Sequence, residues 1–143
     1  MRICIDSNQF IFGIEGTDPA SETLITILPY LEVVIPRLIL IEVTRILKDT
    51  QVKALYPLLK NRPNIKIIEN TVPVELVNKY VELGLREKAD AFIGAFAEWQ
   101  KVNWLISDNR HFLYDLTEAP FEVLSPDVFI RRYYYAILRE EIK

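Results

Sequence analysis

The sequence predicts an α/β fold, a parallel sheet with helices packed on both of its faces. Three observations carry this. Short apolar runs alternate with longer stretches whose apolar residues recur at helical spacing. The runs lack the polar alternation of a strand with one wet face. Proline, glycine and aspartate punctuate most changes between the two patterns. The 143 residues read as one domain, 1–143, with no linker, repeat or low-complexity segment.

The elements follow in order. Residues 2–5 are a β-branched run that ends at Asp6 and reads as a buried strand. Apolar turns over 10–14 lead to Gly16. Asp18-Pro19 opens a second helix, with Leu24, Ile25, Ile27 and Leu28 as its stripe. Residues 32–35 form the second strand. Pro36 suits the first turn of the next helix, whose face carries Ile39, Leu40, Val43, Ile46 and Leu47. A helix over 52–60 stops at Asn61-Arg62-Pro63, and a third strand of mixed pattern spans 65–69. Helix 73–83 ends at the C-cap residue Gly84, and helix 88–102 leads into a fourth strand at 104–107. Residues 109–116 make one or two helical turns and 121–124 the fifth strand. Ser125-Pro126-Asp127 then caps a last helix running to about Glu140.

Composition narrows the function. Half of the chain is apolar and 26% is charged, with 17 basic against 20 acidic side chains and a net charge of -3. That disfavours a protein coated in positive charge, though not a local basic patch. The single cysteine, Cys4, excludes an intrachain disulfide and suits a reducing cytosol. No apolar stretch approaches a membrane span, and the opening Met-Arg-Ile-Cys-Ile-Asp has no signal-peptide layout, so a cytoplasmic location is expected.

Right-handed crossovers place the C-terminal ends of all the strands on one edge, where open α/β sheets bind ligands. Asp6 ends the first strand there and Asp108 follows the fourth. Asp90 begins the helix before the fourth strand, and Glu42 lies about two turns into the helix after the second. Each acid has a purely structural reading. Asp6 and Asp108 can be caps, Asp90 a first-turn acid favoured by the helix dipole, and Glu42 part of a solvated stripe with Arg45 and Asp49. Together they read differently. Gly94 and Ala97 share a face with Asp90 and would let that helix sit close to the sheet, turning Asp90 inward. Four converging carboxylates need a counter-charge, and a hard divalent cation, Mg²⁺ or Mn²⁺, supplies it. Such a cation can generate hydroxide near neutral pH and neutralise a phosphodiester being displaced. The only histidine, His111, excludes a histidine-rich zinc site.

Asp6-Ser7-Asn8, Glu42 in Leu-Ile-Glu-Val, Asp90 in Lys-Ala-Asp-Ala-Phe-Ile-Gly-Ala-Phe-Ala, and Ile-Ser-Asp-Asn-Arg-His-Phe together resemble the spaced acids of PIN-domain nucleases. The resemblance spans essentially the whole chain and is greatest to small prokaryotic members, many of them VapC-type toxins of toxin–antitoxin pairs. It implies a three-layer α/β/α sandwich with five parallel strands in order 3-2-1-4-5. It also implies cleavage of single-stranded RNA with Mg²⁺ or Mn²⁺, an antitoxin protein as partner, and a homodimer. Carried over by motif, Asp6, Glu42, Asp90 and Asp108 are the catalytic acids, with Asp6, Asp90 and Asp108 on the metal. Ser7 and Asn8 match the small polar residues that orient the first acid and its waters.

The chain departs from the family at the fourth strand. Where members often carry a further acid, Asn109, Arg110 and His111 stand. The alignment leaves open whether Asp108 or Asn109 takes the ligand position, and whether one metal or two are held. Arg110 could meet substrate phosphate or be a solvated loop residue.

Two other segments have double readings. Arg131-Arg132-Tyr133-Tyr134-Tyr135 with Arg139 could stack and neutralise RNA, but Phe129, Tyr133, Ala136 and Ile137 form a core stripe, and packing is the expectation. Phe10, Ile11, Phe12 and Ile14, with Ile25 and Leu28, are either plain core or a partner or dimer face. Rival functions are a PIN fold kept as a binding module and a phospho-receiver domain. A receiver, however, wants an acid after the third strand and a lysine after the fifth, where Glu69-Asn70 and Ser125-Pro126 stand.

Overall fold

The computed structural model describes residues 1–142, with side chains described as far as residue 136. Five strands, β1 Arg2–Ile5, β2 Glu32–Pro36, β3 Ile65–Ile68, β4 Trp104–Ile106 and β5 Glu122–Leu124, form one parallel sheet. Their order is β3-β2-β1-β4-β5, as the family resemblance implies. β1 is central, with Ile3 opposite Val33 on one side and Trp104 on the other. A receiver would put its first and third strands side by side, in order 2-1-3-4-5. Here β2 separates them, so that reading fails.

The helices are α1 Ser7–Glu15, α2 Pro19–Ile27, α3 Arg37–Ile46, α4 Asp49–Leu59, α5 Val74–Glu82, α6 Lys88–Trp99 and α7 Pro126–Ile142. They pack in two groups, α1 to α4 with α7, and α5 with α6. Right-handed crossovers explain the division. The chain steps from β1 to β2 to β3 over one face and returns to β4 over the other. Both faces are therefore covered. Ile3, Cys4 and Ile5 of β1, Val33 to Ile35 of β2 and Leu105 and Ile106 of β4 are all buried. On the edge strand β3 only Ile65 is, which explains its mixed pattern.

Local chemistry starts and stops the helices where the sequence indicates. Asp18 caps α2, accepting the Ser21 N–H at 3.2 Å and its hydroxyl at 2.6 Å. Ser125 accepts the Val128 N–H at 3.3 Å at the start of α7. Gly16 ends α1 in the left-handed conformation, φ 75°.

Several expectations need correction. The fourth helix begins at Asp49, not residue 52, because the Gln51 side chain reaches back to accept the Lys48 N–H at 2.9 Å. α6 stops at Trp99, not residue 102: Lys101 adopts φ 55° and the Val102 N–H bonds the Ala97 carbonyl at 2.9 Å. No glycine marks that end. Residues 109–116 contain a single wide π turn, His111–Asp115. Ile46, assigned to the inner face of α3, is exposed because α3 ends there and the chain turns.

The apolar surplus near the N-terminus goes largely inward. Phe10, Ile11 and Leu28 are buried, and Phe12, Ile14 and Ile25 half-buried, in a tight α1–α2 contact. A Cβ on Gly13 would stand 2.7 Å from the Ser21 carbonyl oxygen. On α7, Phe129 is buried edge-on against Trp104 at 5.5 Å and stacks with Tyr133 at 5.8 Å, so the packing reading holds. Arg131 and Arg132 pair with Asp127 and Glu122. Ala136, assigned to the stripe, is exposed, and the side chains of Ile137 and Arg139 lie outside the described residues. Among the described residues no helix is long and apolar enough to cross a membrane.

Candidate active site

β2 and β4 flank β1 on opposite sides, so the C-terminal ends of β1 and β4 form the crevice where the strand order reverses. Asp6 stands in it, 7% exposed. Its N–H donates to the Ile106 carbonyl at 3.0 Å, which extends the β1–β4 pairing by one residue. One carboxylate oxygen accepts the Ser7 N–H at 2.8 Å and so caps α1, and the other accepts the Ser107 hydroxyl at 2.8 Å. Capping and a place in the acid cluster are therefore both true of Asp6.

A short relay continues across the crevice. The Asn109 N–H donates to the Ser107 oxygen at 3.0 Å, and the Asn109 side-chain amide donates to Asp90 at 3.3 Å. Asp90 lies in the first turn of α6. Asn109 is thus the residue that faces Asp90. Asp108 is exposed and lines a cavity of about 460 Å³ on the other side, although its charge still reaches Asp6.

Glu42 is half-buried on α3, whereas Arg45 is exposed and Asp49 belongs to α4. The expected charge stripe is broken at the bend after Ile46. Of the two small polar residues, Ser7 is buried against Asp6 and Asn8 is exposed. Arg110 and His111 are exposed, and His111 Nδ1 lies 2.7 Å from an Asp115 carboxylate oxygen.

Burial dominates the electrostatics of Asp6, Glu42 and Asp90, with neighbouring charges secondary. Burial raises the Asp6 carboxyl above the usual range, and the charges of Asp90 and Asp108 add to it against the Ser107 and Ser7 hydrogen bonds. Burial also raises Glu42, reinforced by Asp6 and Asp90 and opposed by Ser7 and Arg45. Asp90 is raised chiefly by burial, with His111 opposing and Glu87 reinforcing.

The sequence reading missed Ser107. Its signal was a small polar residue ending the strand next to Asp6. Gly94 has a different use from the one expected: a Cβ there would meet the Tyr80 ring at 2.7 Å, so its small size admits α5 onto α6.

Among the described residues no group of three acids, histidines or cysteines is placed to hold a metal ion. The donor chemistry nevertheless fits a hard divalent cation. The groups are oxygen ligands whose proximity disfavours their own ionisation, and Mg²⁺ keeps several waters while taking only one or two carboxylates.

A pH dependence follows. An acid whose folded pKa exceeds its unfolded value costs stability above the folded pKa, and the cost is relieved as pH falls through it. His111, raised by Asp115, acts with the same sign, since its stabilisation is present at low pH and lost as pH rises through its folded value. Metal-free protein should therefore melt higher as pH falls from 8 toward the usual carboxylate range. Asp90→Asn should raise the midpoint at pH 8 and flatten this slope. A thermal melt series in EDTA checks both, and a lower midpoint for Asp90→Asn would mean its charge serves only the helix dipole.

In sequence, no family profile and no curated protein matches the chain. In structure it is similar to VapBC2 from Rickettsia felis bound to a DNA fragment from their promoter, at 16% identity and TM-score 0.59 over 87% of this chain and 98% of that one. A toxin–antitoxin complex from Klebsiella pneumoniae matches at 19% identity and TM-score 0.63 over 87% and 97%. FitAcB from Neisseria gonorrhoeae matches at 17% and 0.56 over 87% and 97%. With identities this low the likeness is one of architecture, and the chain has the PIN-like α/β fold.

Proposed function

We propose that the protein is a divalent-metal-dependent endoribonuclease acting on single-stranded RNA, and the cytoplasmic toxin of a toxin–antitoxin pair. One observation supports the enzyme reading: Asp6 and Asp90 are joined across the β1–β4 crevice through Ser107 and Asn109, and their charges add to the burial that raises Glu42. The fold, shared with a structure described as a toxin–antitoxin complex, supports the toxin role and an antitoxin protein as partner. A homodimer is expected, and light scattering that gives a monomer at tens of micromolar would count against it.

Asp6 and Asp90 would hold Mg²⁺ or Mn²⁺, with Asp108 and the Asn109 side chain beside them. When bound, the cation supplies counter-charge, polarises the phosphodiester and favours ionised water. Ser7 and Ser107 fix the rotamer of Asp6, and Asn109 fixes that of Asp90. Glu42 orients the attacking water and takes up its proton, a role its raised proton affinity suits. Arg110, exposed one residue after Asn109, would be the group to meet a neighbouring phosphate. The water oxygen bonds to phosphorus, the bond to the 3′ oxygen breaks, and that oxygen takes a proton from solvent water as it leaves. The products carry 5′-phosphate and 3′-hydroxyl ends. A cyclising ribonuclease would need an acid–base pair, and the single histidine is engaged with Asp115.

The test is cleavage of an end-labelled RNA with Mg²⁺, Mn²⁺ or EDTA, followed by end-group analysis. Metal-dependent cutting to 5′-phosphate ends is expected. Undiminished activity in EDTA, or a 2′,3′-cyclic phosphate, would overturn the assignment. Asn109 in place of a further acid favours a second reading, a PIN fold that binds RNA without cutting it. RNA binding with no cleavage at any metal concentration would select that one.

A further inference from the structure

The cavity of about 460 Å³ beside the acid crevice has its own chemistry. It lies between the α1–α2 connection and the start of α7. Phe12, Ala20 and Pro126 form its apolar wall, and Asp18, Asp108 and Asp127 supply carboxylates. Its volume is that of a small-molecule pocket. Asp108 lines the cavity and directly follows Ser107, whose hydroxyl bonds Asp6, so an occupant would sit beside the acid crevice.

No lysine or arginine lines the cavity, which makes it a poor place for a phosphate. A flat group able to lie on Phe12 and to donate N–H bonds to a carboxylate suits it. The three carboxylates are not equivalent. Asp127 is exposed and paired with Arg131 at 3.0 Å. Asp18 is half-buried and fixed by Ser21, which engages Oδ2 and leaves Oδ1 for a ligand. We infer that this cavity is a nucleobase subsite for guanine, stacked on Phe12 and read by Asp18, next to the cleaved bond. Guanine alone among the four bases presents an N–H and an NH₂ side by side, so that both can donate to the one free oxygen, Asp18 Oδ1. Uracil offers one N–H between two carbonyl oxygens that the acids repel. The inference rests on the nuclease reading for what the base belongs to and deepens it by naming the substrate's sequence preference.

The test measures binding by fluorescence anisotropy with the full chain in EDTA, where the proposed cleavage is silent. The probes are labelled octamers of uridine with one central guanosine, one central adenosine, or neither. The guanosine octamer should bind about tenfold more tightly than the uridine octamer, within the range that stacking of one base contributes, and adenosine should fall between. Asp18→Asn, which keeps a good helix cap, and Ala20→Phe, which fills the cavity, should each bring guanosine down to the uridine level. Equal affinities for the three octamers, or a guanosine preference that survives both variants, overturns the subsite. An arginine-rich peptide that binds wild type but not Asp18→Asn, with no preference among the octamers, also overturns it, in favour of a basic protein partner. The two readings fail separately. Guanosine preference in a protein that cuts no RNA with Mg²⁺ upholds the subsite and sinks the enzyme; cutting without base preference does the reverse.

Discussion

Asp6→Asn is expected to lower RNA cleavage by more than about 100-fold, beyond the usual cost of losing a partner outside the metal's own ligands, while the protein stays folded. The two parts separate because Asp6 does two things with one carboxylate. It caps α1 through the Ser7 N–H and receives the Ser107 hydroxyl across the sheet edge. Asparagine caps a helix about as well as aspartate, and its amide can still pair with Ser107. The charge alone is lost. Under the proposed mechanism the crevice would then hold a cation poorly, and one of the charges that raise Glu42's proton affinity is gone. The apo protein should melt no lower than wild type, because a buried carboxylate that repels its neighbours has been neutralised. Initial rates with Mg²⁺ and a thermal melt in EDTA on one preparation suffice. Retained activity would place the chemistry elsewhere, and a lower midpoint would show that the Asp6 charge stabilises the fold rather than repelling its neighbours.

What could be read from the sequence depended on how local the cause was. β1 and the caps at Asp18 and Ser125 were legible because β-branched runs and capping side chains act within a few residues. The order of the strands came through resemblance, since periodicity says nothing about which strands become neighbours. Within the site, Asp6 and Asp90 were legible as acids at element ends. Their partners were not. Ser107 bonds Asp6 from 101 residues away, and Asn109 reaches Asp90 across 19, so neither pairing leaves a local pattern. Glu42 had a structural alternative, a stripe with Arg45 and Asp49, which rested on helical spacing carried past Ile46, where α3 ends. Which of Asp108 and Asn109 faces Asp90 depended on how two adjacent side chains turn after a strand, and the Asn109 amide is the one that bonds Asp90.

Gly84→Ala should be the most damaging single-methyl change in the chain, costing about 2–4 kcal/mol through a forbidden backbone angle and a backbone clash. Gly84 follows α5 with φ 119°, a conformation that L side chains rarely adopt, and an added Cβ would overlap the Asp115 carbonyl oxygen. That oxygen belongs to the backbone of the π turn and cannot swing away. The contact is clamped further along, where the Thr117 N–H and hydroxyl both donate to the Leu83 carbonyl, at 2.9 and 3.0 Å. Relief therefore requires the His111–Asp115 turn to move as a body. Its first residue is tied to Asn109 by the His111 N–H at 2.9 Å, and Asn109 is tied to Asp90. The strain should pass from a surface loop into the acid crevice. Gly16→Ala is the control. Gly16 is also left-handed, φ 75°, but its Cβ would approach only the flexible end of Glu22, at 2.9 Å, so the cost should be about 1 kcal/mol. Gly84→Ala should lower the melting midpoint by about 10 °C and lose cleavage activity well below that temperature. Gly16→Ala should shift the midpoint by a few degrees and keep its activity. Equal effects of the two substitutions would show that the Leu83–Thr117 clamp does not couple this loop to the site.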